Sequence, residues 1–170
     1  MKGKIIWFTG LSGSGKTTLS NYISQKLKNK KFNIKKVDGD SFRKKNNTTK
    51  FSKTTIIKNN LSIINYIDNI KERYHFILVS VISPLKKTRI FAYKKFKKNY
   101  YEVYTKCNLK ELIKRDTKNL YKKAQKNMIN DLIGFNSSIK YERTYYKKIT
   151  VNTDKETIKE SADKILMKIY

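Results

Sequence analysis

The sequence predicts an α/β fold: a parallel sheet of about five strands, with helices on both faces and a lid. Three observations carry that prediction. Short apolar runs alternate with longer amphipathic stretches along the 170 residues, the order that a parallel sheet with crossover helices requires. The clearest of these runs are continuously apolar, as strands buried on both faces are. A Gly-rich segment stands at the first strand-to-helix junction, at the end of the sheet where such folds bind ligands.

The elements follow in order. Lys4 to Phe8 is a strand ending at Thr9-Gly10, and Lys16 to Asn29 is a helix with Leu19, Tyr22, Ile23 and Leu27 on one face. Asn33 to Val37 is a second strand, leading into Asp38-Gly39-Asp40. Thr54 to Arg73 carries Ile57, Leu61, Ile64 and Ile67 at helical spacing, and His75 to Ile82 is the plainest buried strand. Lys86 to Lys98 is a basic helix, Tyr100 to Thr105 a fourth strand, and Leu109 to Arg115 a short helix. Residues 116–146 are polar, Lys-rich and weakly periodic, which predicts a mobile lid. Ile149 to Val151 is a fifth strand, and Asp154 to Ile169 a closing helix with Asp154 as its N-cap. The length suits a single domain spanning residues 1–170.

Composition excludes several classes. No apolar run approaches the ~20 residues that cross a bilayer, and Met1-Lys2-Gly3-Lys4 passes straight into a strand, so neither membrane association nor a signal peptide is expected. The single Cys107 rules out an internal disulfide framework and a four-Cys zinc site. A cytoplasmic enzyme is the simplest reading, and a homodimer is left open. The net charge of +27 invites a nucleic-acid partner. Against it, only five of the forty basic residues are Arg and the lysines are spread over most of the chain, so compositional bias is the simpler account and no nucleic-acid partner is expected. His75 and Cys107 read as structural.

Gly10-Leu11-Ser12-Gly13-Ser14-Gly15-Lys16-Thr17 matches G-x-x-x-x-G-K-[ST] at every fixed position. Glycines let the backbone bring its N–H groups against phosphate oxygens, and the helix that follows directs its positive end at the same place. Three of the chain's six glycines lie in this loop, which sets it apart from an ordinary turn. The fold is therefore read as the P-loop NTPase fold, with ATP and Mg²⁺ as cofactors. Gly10, Ser12, Gly13, Ser14, Gly15, Lys16, Thr17 and Thr18 are expected to bind ATP. Lys16 reaches the β- and γ-phosphates, and Thr17 holds Mg²⁺. Asp38-Gly39-Asp40 ends the second strand on the ligand side. By itself it reads as an Asx turn. One βα unit after a P-loop, a carboxylate there suits proton acceptance from a hydroxyl and ordering of the metal, directly or through water.

Taken together, these segments resemble the adenylyl-sulfate kinases, which use ATP to phosphorylate the 3′-hydroxyl of adenosine 5′-phosphosulfate. The resemblance covers nearly the whole chain. Trp7 to Leu19 (WFTGLSGSGKTTL) is similar to that family's phosphate loop, and Asp38-Gly39-Asp40 with Arg43 to its DGD-x-x-R segment. Phe51-Ser52 is similar to a pair whose Phe stacks on the substrate base. Ile82-Ser83-Pro84 with Arg89, the lid segment Arg115-Asp116, Lys118 and Leu120 to Ala124, and Thr153 match further family positions. The resemblance implies Asp40 and Lys16 as catalytic residues and Arg115 and Thr153 as ATP contacts. It implies Asp38, Asp40, Arg43, Phe51, Asn59, Ser83, Lys118 and Leu120 around the acceptor nucleotide, with Thr17 and Asp40 at the metal. Read without the resemblance, Phe51 could be plain core, and Arg43 or Lys118 solvated surface charges.

Departures lie on the acceptor side. After its FS pair the family has D-R-x-E-N-I-R-R, whose Arg and Asn residues grip the adenylyl-sulfate. Here Thr55-Ile56 stand at the D-R positions, Asn59 is retained, and Leu61-Ser62 replace R-R. Each lost charge-assisted bond would cost about 1.5–3 kcal/mol. Leu132-Ile133-Gly134-Phe135 replaces an F-T-G-I segment with a second stacking Phe, a place Phe135 could fill from the adjacent position. Thr117 and Asn119 replace a Pro and a Gly of the lid. The economical reading is a 3′-kinase for a different nucleotide. Cytidine diphosphoramidate kinase, of capsule phosphoramidate synthesis, is the relative that fits, and adenylyl sulfate is the alternative substrate. Two further classes compete. A polynucleotide kinase would use the basic charge, and a nucleotide-binding regulator would lack transfer, which intact Lys16, Thr17 and Asp40 argue against.

Overall fold

The structure, a computed structural model, describes residues 3–45, 52–144 and 148–170. In chain order the elements are β1 (Lys4–Thr9), α1 (Lys16–Asn29), β2 (Ile34–Asp38), α2 (Gly39–Lys45), α3 (Lys53–Ile70) and β3 (Phe76–Ser80). Then come α4 (Lys86–Phe96), β4 (Tyr100–Lys106), α5 (Leu109–Arg115), α6 (Leu120–Gln125), β5 (Ile149–Asn152) and α7 (Ile158–Ile169). Short 3₁₀ turns follow α3 and α4.

The strands form one parallel five-stranded sheet in the order β2-β3-β1-β4-β5. β1 lies at its centre, with Ile6 opposite Leu78 on one side and Tyr101 on the other. Alternate side chains of β1 serve the two faces. Ile5 and Trp7 pack with Ile63, Ile64 and Ile67 of α3 and Ala92 and Phe96 of α4. Ile6 and Phe8 pack with Leu19, Ile23 and Leu27 of α1 and Ala162, Ile165 and Ile169 of α7. All four β1 side chains are fully buried, which is why the strand is continuously apolar. His75 accepts from the Asn33 N–H through Nδ1 at 2.9 Å and meets Phe32 edge-on, a structural role. No helix among the described residues is long and apolar enough to cross a membrane.

Three differences from the sequence reading have physical causes. α2 was not foreseen, because GDSFRKK offers only Phe42 as an apolar residue. Asp38 starts it by accepting the N–H groups of Asp40 (3.1 Å) and Ser41 (3.0 Å), so the Asx turn is real and opens a helix. α7 begins at Ile158 and not at Asp154. Thr157 and Glu160 form a reciprocal capping box there, satisfying two backbone donors at once. Asp154 instead accepts from the backbone N–H (3.1 Å) and Nδ2 (2.6 Å) of Asn108, tying the loop after β5 to the start of α5.

The lid segment also carries more structure than its polarity suggests. α6 lies within it, and Asp116 accepts the N–H groups of Tyr121 (3.0 Å) and Lys122 (2.9 Å). Tyr121, Ala124 and Leu132 bury against Leu112 of α5. Ile133 and Ile139 bury against Ile56 and Leu85. These few apolar anchors hold 116–144 on the body while most of the polar residues between them face solvent.

Candidate active site

The loop between β1 and α1 wraps over the carboxyl end of the sheet. Gly10 (φ 146°) passes so close to β4 that a Cβ would come within 2.5 Å of Thr105 Oγ1 and 2.6 Å of its carbonyl oxygen. Gly13 (φ 75°) and Gly15 (φ 84°) hold left-handed backbone, so side chains there would be strained. The first turn of α1 leaves its N–H groups without intrahelical partners and aims them at the cavity. Ser14 faces the sheet, with Oγ 2.7 Å from Thr105 Oγ1. Tyr121 of the lid donates its hydroxyl to the Ser12 carbonyl at 3.0 Å, fastening the lid to the loop.

Lys16 donates to the carbonyls of Gly10 (3.0 Å) and Leu11 (2.7 Å). Desolvation, and next the charge of Lys118, lower its pKa to about 7, against the pull of Asp40 and Asp38 in the other direction. A triphosphate needs this amine charged, so MgATP binding above pH 7 should take up close to one proton. The MgATP dissociation constant should then rise by up to about tenfold per pH unit, until the complex itself titrates. Calorimetry in buffers of different ionisation enthalpy measures the uptake, and zero uptake at pH 8 would contradict it. Against the unfolded chain the sign is opposite to that of a stabilised cation. The unfolded state holds more protons between pH 7 and 10.5, so this group's contribution to stability of the unliganded protein increases across that window.

A cavity of about 970 Å³ opens over the loop. Ser12, Gly13, Gly15, Lys16, Thr17 and Thr18 form its floor. Asp38, Asp40 and Arg43 stand on one side, and Lys118 and Leu120 reach in from the lid. Asp40, half-buried, accepts from Arg43 Nη2 on one carboxylate oxygen and from Lys118 Nζ on the other. Burial pushes the carboxyl upward, but Lys118, Arg43 and Lys16 outweigh it and hold Asp40 below the usual carboxylate range. An ionised Asp40 facing the phosphate floor can accept a proton or a hydroxyl hydrogen bond once Lys118 turns to a substrate.

At the opposite end Arg115 donates through Nη2 to the Thr153 carbonyl (2.6 Å) and through Nε to Glu111 (2.9 Å). Its planar guanidinium is thereby held at the cavity wall, where it can stack on a base. Thr153 Oγ1 bonds the Ser14 carbonyl at 3.1 Å, coupling β5 to the loop. Among the described residues no cluster of three His, Cys, Asp or Glu could hold a metal alone. The donor set still suits Mg²⁺, which keeps several waters and takes one or two protein oxygens plus substrate phosphates. Among the oxygens lining the cavity, the Thr17 hydroxyl and the Asp40 or Asp38 carboxylate, beside Lys16, suit that role.

Most of the residues singled out from sequence thus share one cavity. Asn59 and Ser83 line a small recess beside it, Gly10 and Ser14 lie beneath the floor, and Phe51 falls outside the described residues. Phe135 does not fill the vacant stacking place. It packs edge-on against Tyr121 at 5.8 Å, within the lid. Sequence reasoning missed Lys44, Asp131 and Glu156, which also line the cavity. For Lys44 a signal existed in its position beside Arg43; Asp131 sits in the weakly periodic lid, and Glu156 in a stretch misread as helix.

A family model described as adenylylsulphate kinase matches residues 2–152. A probable adenylyl-sulfate kinase of Archaeoglobus fulgidus is 35% identical over 152 residues, 89% of this chain and 96% of that protein. The cytidine diphosphoramidate kinase of Campylobacter jejuni is 32% identical over 166 residues, 97% of this chain and 95% of that protein. Among solved structures, the APS kinase of Mycobacterium tuberculosis in complex with AMPPNP and APS superposes with a TM-score of 0.89 at 30% identity, covering 98% of this chain and 96% of that one.

Proposed function

The chain belongs to the adenylylsulphate kinase family and is an ATP- and Mg²⁺-dependent phosphotransferase, and on that premise we propose that it phosphorylates the ribose 3′-hydroxyl of cytidine diphosphoramidate in capsule phosphoramidate synthesis. One observation carries the 3′-kinase reading. A carboxylate flanked by two cations, Asp40 with Arg43 and Lys118, lines the same cavity as a P-loop Lys and Thr. ATP lies with its phosphates on the loop and its base toward Arg115 and Thr153. The acceptor nucleotide lies between the loop and the lid, against Asp38, Arg43, Lys118 and Leu120, with Asn59 and Ser83 behind.

In the transfer, the acceptor 3′-oxygen bonds to the γ-phosphorus as the bond from that phosphorus to the β–γ bridging oxygen breaks. Asp40 orients the hydroxyl and receives its proton. Lys16 stabilises the charge that builds on the phosphoryl oxygens and on departing ADP. Thr17 and a carboxylate of the Asp38–Asp40 turn would hold Mg²⁺, which would supply further charge neutralisation.

Ile56, at a family Arg position, is buried against Ile133, Leu85 and Ile139, so that part of the acceptor wall is apolar and filled. Leu61 packs into the core and Ser62 is exposed. A smaller base and a less charged terminal group suit that wall. Adenylyl sulfate remains the second reading, because Arg43, Asn59, Ser83 and Lys118 keep their places beside the site. The test offers ATP and Mg²⁺ with cytidine diphosphoramidate, CDP and adenosine 5′-phosphosulfate in parallel and locates the new phosphate by NMR. Cytidine diphosphoramidate should give the highest kcat/KM, with phosphate on the 3′-oxygen. A preference for the adenylyl compound overturns the substrate and leaves the reaction type standing.

A further inference from the structure

Asp40 carries a cation on each carboxylate oxygen, Arg43 on Oδ1 and Lys118 on Oδ2. The two cations are held differently. Arg43 lies three residues further along the same helix, α2, whereas Lys118 comes from the lid on the far side of the cavity. The oxygen of Asp40 that faces the lid is thus covered by an ammonium.

The backbone beneath Lys118 is fixed. Asp116 (φ 24°) and Asn119 (φ 53°) bracket it in left-handed conformation, and the Asn119 N–H closes the turn on the Asp116 carbonyl at 2.8 Å. Asn119 stands where the family pattern has Gly, and Asn is one of the few other residues that visit this backbone routinely. The Asp116 carboxylate accepts from the first turn of α6, and Tyr121 of that helix is bonded to the phosphate loop. Release of Lys118 from Asp40 therefore needs only a swing of its flexible four-carbon stem, with the lid left in place. The ion pair permits that swing. Its side chains are 51% and 41% exposed, and pairs so open to water are weak.

Water competes with the ribose hydroxyl for the phosphoryl group. Its oxygen would bond to the γ-phosphorus as the bond to the β–γ bridging oxygen breaks, and its proton would pass to Asp40, giving ADP and inorganic phosphate. The carboxylate that serves the ribose hydroxyl would serve this loss equally well. We propose that Lys118 is a positioning residue that keeps Asp40 paired until the phosphate oxygens of an acceptor draw its ammonium away, so that transfer to water is suppressed. The inference rests on the 3′-kinase reading and adds control of that same site. An acceptor shifts the equilibrium because its anionic group binds the released ammonium and not the paired one. Cytidine diphosphoramidate and adenosine 5′-phosphosulfate both carry such oxygens, so the inference holds for either.

The experiment measures ADP release from MgATP alone and with the 3′-deoxy forms of these two nucleotides, which bring the anion but leave room at C3′ for a water. In the wild type at least one analogue should raise hydrolysis about fivefold, the share that a half-exposed ion pair withholds. Lys118→Met should show the raised rate with no analogue present, and no further rise when one is added. Lys118→Arg, which can pair with Asp40 again, should restore the low rate. Adding Asp40→Asn to Lys118→Met should abolish the gain, which assigns it to the carboxylate and not to a loosened lid. An unchanged urea midpoint for Lys118→Met serves as the check on folding. Hydrolysis by Lys118→Met within twofold of the wild type would overturn the proposal. So would a wild type that neither analogue stimulates, a result that needs no variant to fold. Transfer to neither intact nucleotide would sink the 3′-kinase reading together with it, whereas normal transfer with unaltered hydrolysis sinks only the role of Lys118.

Discussion

Asp40→Asn should lower kcat by about 10²–10⁴-fold, the range that a positioned general base contributes, while MgATP still binds. The substitution keeps the shape and one carbonyl acceptor, so it removes mainly the charge that receives the hydroxyl proton. Asp40 is anionic because Lys118 and Arg43 together outweigh its burial. The amide neither holds these cations nor takes the proton. Measured below pH 7, where losing the upward pull of Asp40 on Lys16 matters least, ATP affinity should survive, since the loop is positioned by Gly10, Gly13 and Gly15, and Lys16 is seated on the carbonyls of Gly10 and Leu11. Steady-state ADP formation, measured beside a titration with a non-hydrolysable ATP analogue, separates the two quantities. Turnover within tenfold of wild type would remove Asp40 from the chemistry and leave it as a salt-bridge partner of the lid.

That division between floor and wall also describes what was legible in the sequence. β1, β3 and α1 were readable because both faces of the strands are covered and the helix has one apolar stripe. The phosphate loop was readable because its conformation demands glycine at fixed positions. In a chain with only five Arg, the presence of Arg115 was itself a signal, for its Nε and Nη2 make a forked contact that Lys cannot copy. α2 and α6 were not readable. They are short and mostly polar, and are begun by side chains of Asp38 and Asp116 whose capping partners only the fold reveals. The lid's attachment was hidden too, since Ile133 and Ile139 meet Ile56 and Leu85 from distant parts of the chain. So was the pairing of Lys118 with Asp40, because an ion pair between the lid and α2 is a property of the packed state.

Arg89 is where the same logic predicts the largest loss of stability. It is fully buried, and its Nε lies 3.4 Å from Oε1 of Glu102, itself 2% exposed. The guanidinium donates through Nη1 to the Ser83 carbonyl and through Nη2 to the Glu142 carbonyl, and it lies 4.9 Å over the Tyr141 ring. Glu102 in turn accepts from Thr144 Oγ1 at 2.7 Å. One cation therefore joins the acceptor wall, β4 and the end of the lid segment. Arg89→Met should destabilise the protein by about 3–5 kcal/mol, because Glu102 is left charged in the core without its partner. Adding Glu102→Gln should recover a substantial part of that loss, since the neutral amide no longer needs compensation and can still accept from Thr144. Urea unfolding of the wild type, both single variants and the double variant closes the cycle. With Ser83 and Glu142 released together, KM for the acceptor nucleotide should rise in Arg89→Met far more than the dissociation constant for MgATP, because no contact of Arg89 reaches the phosphate loop. A loss below about 1 kcal/mol, in the range of an exposed ion pair, would show that water reaches this pair and that the wall and the lid segment are held together by the apolar anchors alone.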